Sequence, residues 1–97
     1  MSSELTSTVV LGKSPQMAWQ RVDGELVLLA VDGKELIGLN EVAARVWDLI
    51  DDVRDLRSIV EAIVTEFEVD AETARLDVHA FASELVGRGA ALVRDSK

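Results

Sequence analysis

Apolar and polar residues follow two different periods along the chain, and the change falls at Asn40. Before Asn40, Asp-Gly pairs at 23–24 and 32–33 separate three short apolar runs. Asp-Gly favours the type I′ turn of a two-residue hairpin, because both central residues of that turn need a positive φ. Two such hairpins in succession predict a three-stranded antiparallel meander. The predicted strands are Met17–Val22, Glu25–Val31 and Lys34–Leu39.

Two hairpins of this kind fix which side chains share a face of the sheet. Counted outward from the turns, one face collects seven apolar residues and is expected to lie under the helices. The opposite face is also apolar, which is more than a freely solvated sheet face needs. We expect Val9–Leu11, a second copy in a homodimer or a partner protein to cover it. The first face holds Met17, Trp19, Leu26, Leu28, Ala30, Ile37 and Leu39, and the second holds Ala18, Val22, Val27, Leu29, Val31 and Leu36.

After Asn40 the apolar residues recur at the spacing of amphipathic helices. Asn40, Asp55 and Asp70 precede the three periodic segments, and each of these side chains can cap a helix by accepting a backbone N–H. Gly87 and Gly89 are expected to close the third helix. The predicted fold is α+β, with an N-terminal three-stranded antiparallel β-meander followed by three helices in a winged-helix-like order.

The N-terminal residues are less well specified than the rest of the chain. Met1–Thr8 is rich in Ser and Thr, and chain ends of this kind commonly fray. Val9–Leu11 is apolar and can form a short strand. Residues 1–15 are predicted to be a flexible or loosely docked segment, and residues 16–97 a single peptide-binding domain. Ala90–Val93 is expected to return as a short extended segment.

Composition and charge narrow the class of protein. The 97 residues are 48% hydrophobic, which is enough for one small folded domain. A net charge of −8, from ten basic and 18 acidic residues, disfavours nucleic acid, since phosphate binding depends on clustered Lys and Arg. No apolar run is long enough to span a bilayer, and Met1–Lys13 does not read as a secretion signal. With no cysteine in the chain, the sequence predicts a cytoplasmic protein without membrane contact.

The search for catalytic chemistry finds little. His79 is the only histidine and there is no cysteine, which excludes a Cys-His pair and a multi-histidine metal site. Neither a phosphate-binding loop motif nor a dinucleotide-binding motif is present. The sequence therefore predicts a binding module and not an enzyme, with no metal and no cofactor.

The third predicted strand is the best candidate for a binding surface. As an edge strand, Lys34–Leu39 can pair its free N–H and C=O groups with an incoming extended peptide. Gly38 lets a second backbone approach closely. On the third helix, Leu76 lies outside the main apolar stripe, beside His79, Ser83 and Val86, and this flank is a candidate groove wall. A helix with a wide apolar face is the alternative interpretation.

Other classes of binding protein fit less well. A winged-helix DNA-binding regulator would need a basic recognition helix, whereas the third helix carries only Arg75 and Arg88 against three acidic residues. An acyl-carrier protein would need a serine at a helix start, and Ser58 falls inside a predicted helix. A small acidic protein–protein adaptor is the remaining alternative.

Several short motifs resemble those of the PqqD-like family, the precursor-recognition domains of ribosomally made and modified peptides. The resemblance covers about Ala18–Val93. It departs from the family pattern after the first helix, where many members have Asp-Gly and this chain has Asp51–Arg54. The motifs are a strand ending in Gly38-Leu39-Asn40, a helix with Ala43-Ala44-x-x-Trp47-x-Leu49-Ile50, and Asp77-Val78-x-x-Phe81-x-x-x-Leu85-x-x-x-Gly89.

The resemblance implies a non-catalytic chaperone. Such a protein captures the leader of a precursor peptide by strand addition and presents it to a maturation enzyme, such as a radical-SAM protein, a cyclase or a leader peptidase. It also implies that the leader pairs with the third strand and lies against the third helix. The residues then expected to bind the peptide are Glu35, Leu36, Ile37, Gly38, Leu39, Leu76, His79, Ser83 and Val86.

Overall fold

Antiparallel strands followed by helices form the architecture, as predicted. The structure is a computed structural model, and it describes residues 6–23, 25–30 and 33–96. The α+β class and the order of a meander before three helices are confirmed. Within the described ranges the elements are β1 (Val9–Lys13), β2 (Met17–Val22), β3 (Glu25–Ala30), β4 (Leu36–Leu39), α1 (Glu41–Leu49), α2 (Leu56–Phe67), α3 (Ala71–Gly87) and β5 (Ala91–Ser96).

Strands β2, β3 and β4 form the predicted meander in the predicted register. Leu28 lies opposite Trp19 on β2 and opposite Ile37 on β4. Asp23 has a φ of 52°, the positive value that the first position of a type I′ turn requires. Residue 24 lies outside the described ranges, so the type of the first predicted turn stays a prediction. The two-residue hairpin predicted at Asp32-Gly33 is wrong: it would leave Ala30 and Glu35 as a non-hydrogen-bonded pair, whereas Ala30 donates its N–H to the C=O of Glu35 at 3.0 Å.

The three helices begin where the sequence predicts. Asn40 accepts the N–H of Ala43 at 2.8 Å. Asp55 and Asp70 accept the N–H three residues further on, at 2.9 and 3.1 Å. Each carboxylate or amide satisfies a backbone donor that the first helical turn leaves unpaired. Helix α3 ends at Gly87, and Gly89 follows with a φ of 78°, as expected for a helix C-terminus.

The link between α1 and α2 shows how this chain forms its turn without the Asp-Gly of many family members. Asp52 takes a positive φ of 67°, a conformation that Asp tolerates better than most residues. Its N–H donates to the C=O of Leu11 at 3.0 Å, and its carboxylate accepts from Arg94 at 2.6 Å. The link is thereby tied to both β1 and β5.

A second, two-stranded sheet joins the two ends of the described chain. Strand β1 pairs antiparallel with β5, and Leu11 is buried at 1% exposure. Val9–Leu11 is therefore a strand of this second sheet, and Ala90–Val93 leads into β5 as predicted. The division of the chain into residues 1–15 and 16–97 stays a prediction.

One face of the meander packs on the helices around Trp47, whose side chain is fully buried. Leu26, Leu28 and Leu39 of the predicted first face are buried as expected. Trp19 is an exception, with 48% exposure, because it sits on the outer strand β2 at the rim of the core. None of the described helices has the length and apolar character needed to cross a membrane.

The second face of the meander is open to solvent among the described residues. Leu36 is 71% exposed, and Val22 and Leu29 are nearly half exposed. These side chains surround a shallow apolar depression of about 250 Å³. Since Val9–Leu11 belongs to the other sheet, it does not cover this face.

Candidate functional site

Strand β4 is an edge of the meander. The sheet order is β2-β3-β4, and no other described strand pairs with the outer side of β4. An edge of this kind presents backbone N–H and C=O groups that a further strand can use.

One hydrogen bond of the β3–β4 hairpin decides which backbone groups face outward. Ala30 donates its N–H to the C=O of Glu35 at 3.0 Å, so these two residues form a hydrogen-bonded pair. Hydrogen-bonded and non-bonded pairs alternate in an antiparallel ladder. Ile37 therefore faces β3, like Glu35, whereas Leu36 and Gly38 direct their N–H and C=O groups away from the sheet.

The space beside these outward groups is open. A Cβ placed on Gly38 would meet no heavy atom within 4 Å. Leu36 is the most exposed large apolar residue of the meander, at 71%. A second backbone can therefore approach β4 without displacing a side chain that is packed there.

A cleft of about 460 Å³ lies between α1 and α3, next to the end of β4. Its apolar part comes from the side chains of α1 and from Phe81, which is half buried against the core. Asp77 and Glu84 of α3 are exposed at its rim. The lining residues are Asn40, Val42, Ala43, Val46, Asp77, Val78, Ala80, Phe81 and Glu84.

The same flank of α3 also reaches the start of β4. Arg88 lies 3.5 Å from the carboxylate of Glu35 and 3.2 Å from that of Glu84. We use the name Phe81 flank for the side of α3 that carries Asp77, Phe81, Glu84 and Arg88. This flank contacts Glu35, just before β4, and lines a cleft together with Asn40, just after β4. Helix α3 therefore runs alongside β4, in the opposite direction.

The flank predicted from the sequence lies elsewhere. Leu76, His79 and Ser83 line a separate cleft of about 480 Å³ together with Thr6 and Ser7 of the N-terminal segment. The structure thus brings β4 together with the Phe81 flank and not with the Leu76 flank.

The fourth residue predicted on that flank, Val86, is half buried against the core and lines neither cleft. The five predicted residues of the third strand lie together, with Glu35 just before β4 and Leu36–Leu39 forming it. A role in peptide binding for the residues on either element stays a prediction.

Aromatic side chains occupy part of the helix side at the other edge of the meander. Trp19 of β2 packs edge to face on Trp47, with ring centroids 5.4 Å apart. The ammonium of Lys13 lies 5.6 and 5.4 Å from the two ring centroids and donates to the C=O of Ile50 at 2.6 Å. Burial lowers the pKa of Lys13, against the opposing effect of nearby carboxylates, of which Asp48 contributes most.

The described residues bear on two other kinds of site, a metal centre and a DNA-reading helix. Nowhere in residues 6–23, 25–30 and 33–96 do three His, Asp or Glu side chains come together in a way that could hold a metal ion. The basic residues of α3 are already paired, with Arg75 at 2.7 Å from Glu72 and Arg88 at 3.2 Å from Glu84. This pairing is unlike the free basic face of a DNA-reading helix.

An open sheet edge beside a partly apolar cleft defines a class of site that accepts an extended peptide as an additional strand. Residues 25–90 match the family described as coenzyme PQQ synthesis protein D (PqqD). The match runs from β3 through α3 and covers most of the chain. The chain belongs to the PqqD family.

Two solved structures share the fold. One is TbiB1 in complex with the TbiA(beta) leader peptide, which is 27% identical, with 88% of this chain and 99% of that chain covered and a TM-score of 0.76. The other is a lasso peptide synthetase B1 complexed with the leader peptide, which is 26% identical, with 84% and 96% covered and a TM-score of 0.76. A search of curated proteins found no significant match.

Proposed function

We propose that this chain is a non-catalytic peptide-binding protein that captures the leader of a ribosomal precursor peptide by strand addition. The observation that carries the proposal is the outer edge of β4, where Leu36 and Gly38 present backbone groups beside an open cleft. Main-chain pairing along such an edge supplies affinity and register, and side-chain pockets supply selectivity.

The two similar structures support the choice of ligand. Both are complexes with a leader peptide, and both cover nearly the whole of their own chains in the alignment. A leader that is disordered before binding loses conformational entropy when it is ordered as a strand. That cost keeps the affinity moderate and allows release to the next protein.

We assign the backbone contacts to Leu36 and Gly38, and the side-chain contacts to the cleft beside the Phe81 flank. The Leu76 flank is the second candidate surface, because it lines a cleft of similar size near Ser7. The two candidates lie on different sides of α3, so a titration that resolves individual residues separates them.

The proposed partner after capture is a maturation enzyme, such as a radical-SAM protein, a cyclase or a leader peptidase. The open second face of the meander, around Leu29 and Leu36, is a surface that such an enzyme or a second copy of this chain can cover. A cytoplasmic location fits a protein that receives newly made peptides.

The test is a titration of the isotopically labelled protein with the leader of the precursor peptide encoded beside it, followed by amide NMR. We expect saturable shifts at Leu36, Gly38 and Phe81. Shifts confined to Leu76 and His79 would move the side-chain site to the other flank of α3. The absence of saturable shifts anywhere would overturn the proposal.

A further inference from the structure

The electrostatics of the cleft indicate which leaders it accepts. We propose that the Phe81 flank selects a leader carrying a Lys or Arg two positions before a large apolar residue. This inference rests on the proposed function and specifies the class of peptide that the same site takes.

The preference for a large apolar residue on the leader follows from the apolar floor of the cleft. Phe81 is half buried and faces Val42 and Val46 of α1 across the cleft. An apolar side chain that enters here removes these surfaces from water, which favours binding in proportion to the area covered. A polar side chain at the same position would lose its hydration without gaining a described partner.

The preference for Lys or Arg on the leader follows from an excess of carboxylates along the Phe81 flank. Several carboxylates elsewhere on the surface pair one to one with an arginine, as Glu66 does with Arg45 at 2.7 Å. Along the Phe81 flank a single guanidinium, that of Arg88, serves both Glu35 and Glu84. Asp77 has no ion pair among the described residues. A cation on the leader would therefore meet excess negative charge at the rim.

The spacing of the two features matches an extended peptide. Asp77 and Phe81 are four residues apart on α3, which corresponds to a rise of about 6 Å. Side chains on one face of a strand recur every second residue, about 6.6 Å apart. A leader paired with β4 can thus place one residue at Asp77 and the residue two positions away at Phe81.

The direction of α3 sets the order of the two residues. Because α3 runs opposite to β4, a guest strand antiparallel to β4 runs in the same direction as α3. It passes Asp77 before Phe81, so the basic residue precedes the apolar one. A guest parallel to β4 would carry the same two residues in the reverse order.

The first test is selection from a displayed library of random 12-residue peptides on the full chain. We expect enrichment of peptides with Lys or Arg two positions before an aromatic or branched apolar residue. With Asp77→Lys, the same selection should replace the basic residue by Asp or Glu. Glu72→Gln is the matched control, an exposed acid of the same helix outside the cleft, and it should leave the preference unchanged.

The second test measures the affinity of one selected peptide and of its Lys→Gln form. Asp77→Asn should weaken the Lys peptide by about 2- to 5-fold, as expected for a solvent-exposed ion pair, and leave the Gln peptide unchanged. Asp77 is exposed, so these variants are expected to fold.

The outcomes separate the two proposals. If no peptide is enriched, the proposed function fails together with the inference. If peptides are enriched and bind at β4 but show no basic preference, or keep it in Asp77→Lys, the inference is overturned and the proposed function stands. Enrichment of peptides in which the apolar residue stands two positions before the basic one would mean that the guest runs parallel to β4, and would overturn the proposed order.

Discussion

The two edges of the meander offer similar backbones but different surroundings. Hydrogen-bonded and non-bonded pairs alternate along both sides of β3, which directs the backbone N–H and C=O groups of Leu36 and Gly38 outward on β4. The same alternation directs those of Met17, Trp19 and Arg21 outward on β2. At β2 part of the helix side is occupied by the edge-to-face indole rings of Trp19 and Trp47. At β4 the corresponding side opens into the cleft beside α3.

At the β2 edge, one outward backbone group and one side chain are already engaged in other contacts. Met17 already donates its N–H to the C=O of Ser14 at 3.1 Å, and Arg21 reaches across to Asp48 at 2.7 Å. An unpaired strand is therefore not by itself a docking site. A guest strand also needs room for its side chains. The cleft at the β2 edge is the smaller one, about 290 Å³, and both partners of the Arg21–Asp48 ion pair line it, whereas the cleft beside the Phe81 flank measures about 460 Å³.

The largest expected effect comes from closing the β4 edge. Gly38→Pro removes an outward N–H and places the proline ring where the guest backbone would lie, so leader affinity should fall at least about 10-fold. Isothermal titration with the leader measures the change. Gly38→Ala is the control, because it keeps the N–H and its Cβ meets nothing within 4 Å.

A proline on the other edge of the meander should have a much smaller effect on leader binding. Arg21→Pro removes an outward N–H of β2 and should leave leader affinity within about twofold, since a guest is not expected there. Equal losses of affinity from Gly38→Pro and Arg21→Pro, in variants that retain the native fold, would mean that the two edges do not differ in the way described.

A smaller loss is expected from the floor of the cleft. Phe81→Ala should weaken leader binding by about 5- to 10-fold, because the guest loses an apolar surface to cover. Leu76→Ala is the matched control, an exposed apolar residue on the opposite flank of the same helix. A larger effect from Leu76→Ala than from Phe81→Ala would assign the leader to the Leu76 flank.

The β2 edge should contribute to the stability of the fold and not to leader binding. Trp19→Ala removes the edge-to-face contact with Trp47 and should lower the free energy of unfolding by about 1 kcal/mol. Urea unfolding measures that loss, and titration with the leader should show unchanged affinity. Weakened binding without loss of stability would show that β2 contributes to the site.

The smallest effect concerns acid. Asp51 accepts the N–H groups of Val53 and Arg54, and these bonds, led by the one from Arg54, lower the pKa of its carboxyl. The charged form is therefore stabilising above the ordinary pKa of 3.8, and this contribution is lost as the pH falls through the lowered pKa. Asp51→Asn should flatten the fall of the melting temperature below about pH 4. If Asp51→Asn leaves the fall of the melting temperature at low pH unchanged, protonation of Asp51 does not contribute to the loss of stability in acid.

Local signals in the sequence were sufficient for most of the fold. The caps at Asn40, Asp55 and Asp70 depend on a few neighbouring residues, and the sheet register follows from turn positions and side-chain alternation. The exposed position of Trp19 was missed, because alternation assigns a face but does not say how far the helices extend beneath it.

The candidate site was predictable only in part. The third strand could be assigned as an edge because hairpin order is local. The flank of α3 that faces β4 depends on how the helices cross, which no short motif encodes. The helical period of the sequence places Phe81 in the core stripe and Asp77, Glu84 and Arg88 on the flank opposite Leu76. The single available signal was the combination of an aromatic residue with charges at helical spacing.

Hydrogen exchange of individual amides, with and without saturating leader, shows whether the outward backbone groups of β4 pair with the leader. In the free protein the amides of Ile37 and Leu39 should be protected by pairing with β3, while those of Leu36 and Gly38 exchange quickly. Leader binding should slow Leu36 and Gly38 and change the other two much less. Protection of Leu36 and Gly38 before the leader is added, or fast exchange after saturation, would contradict the account.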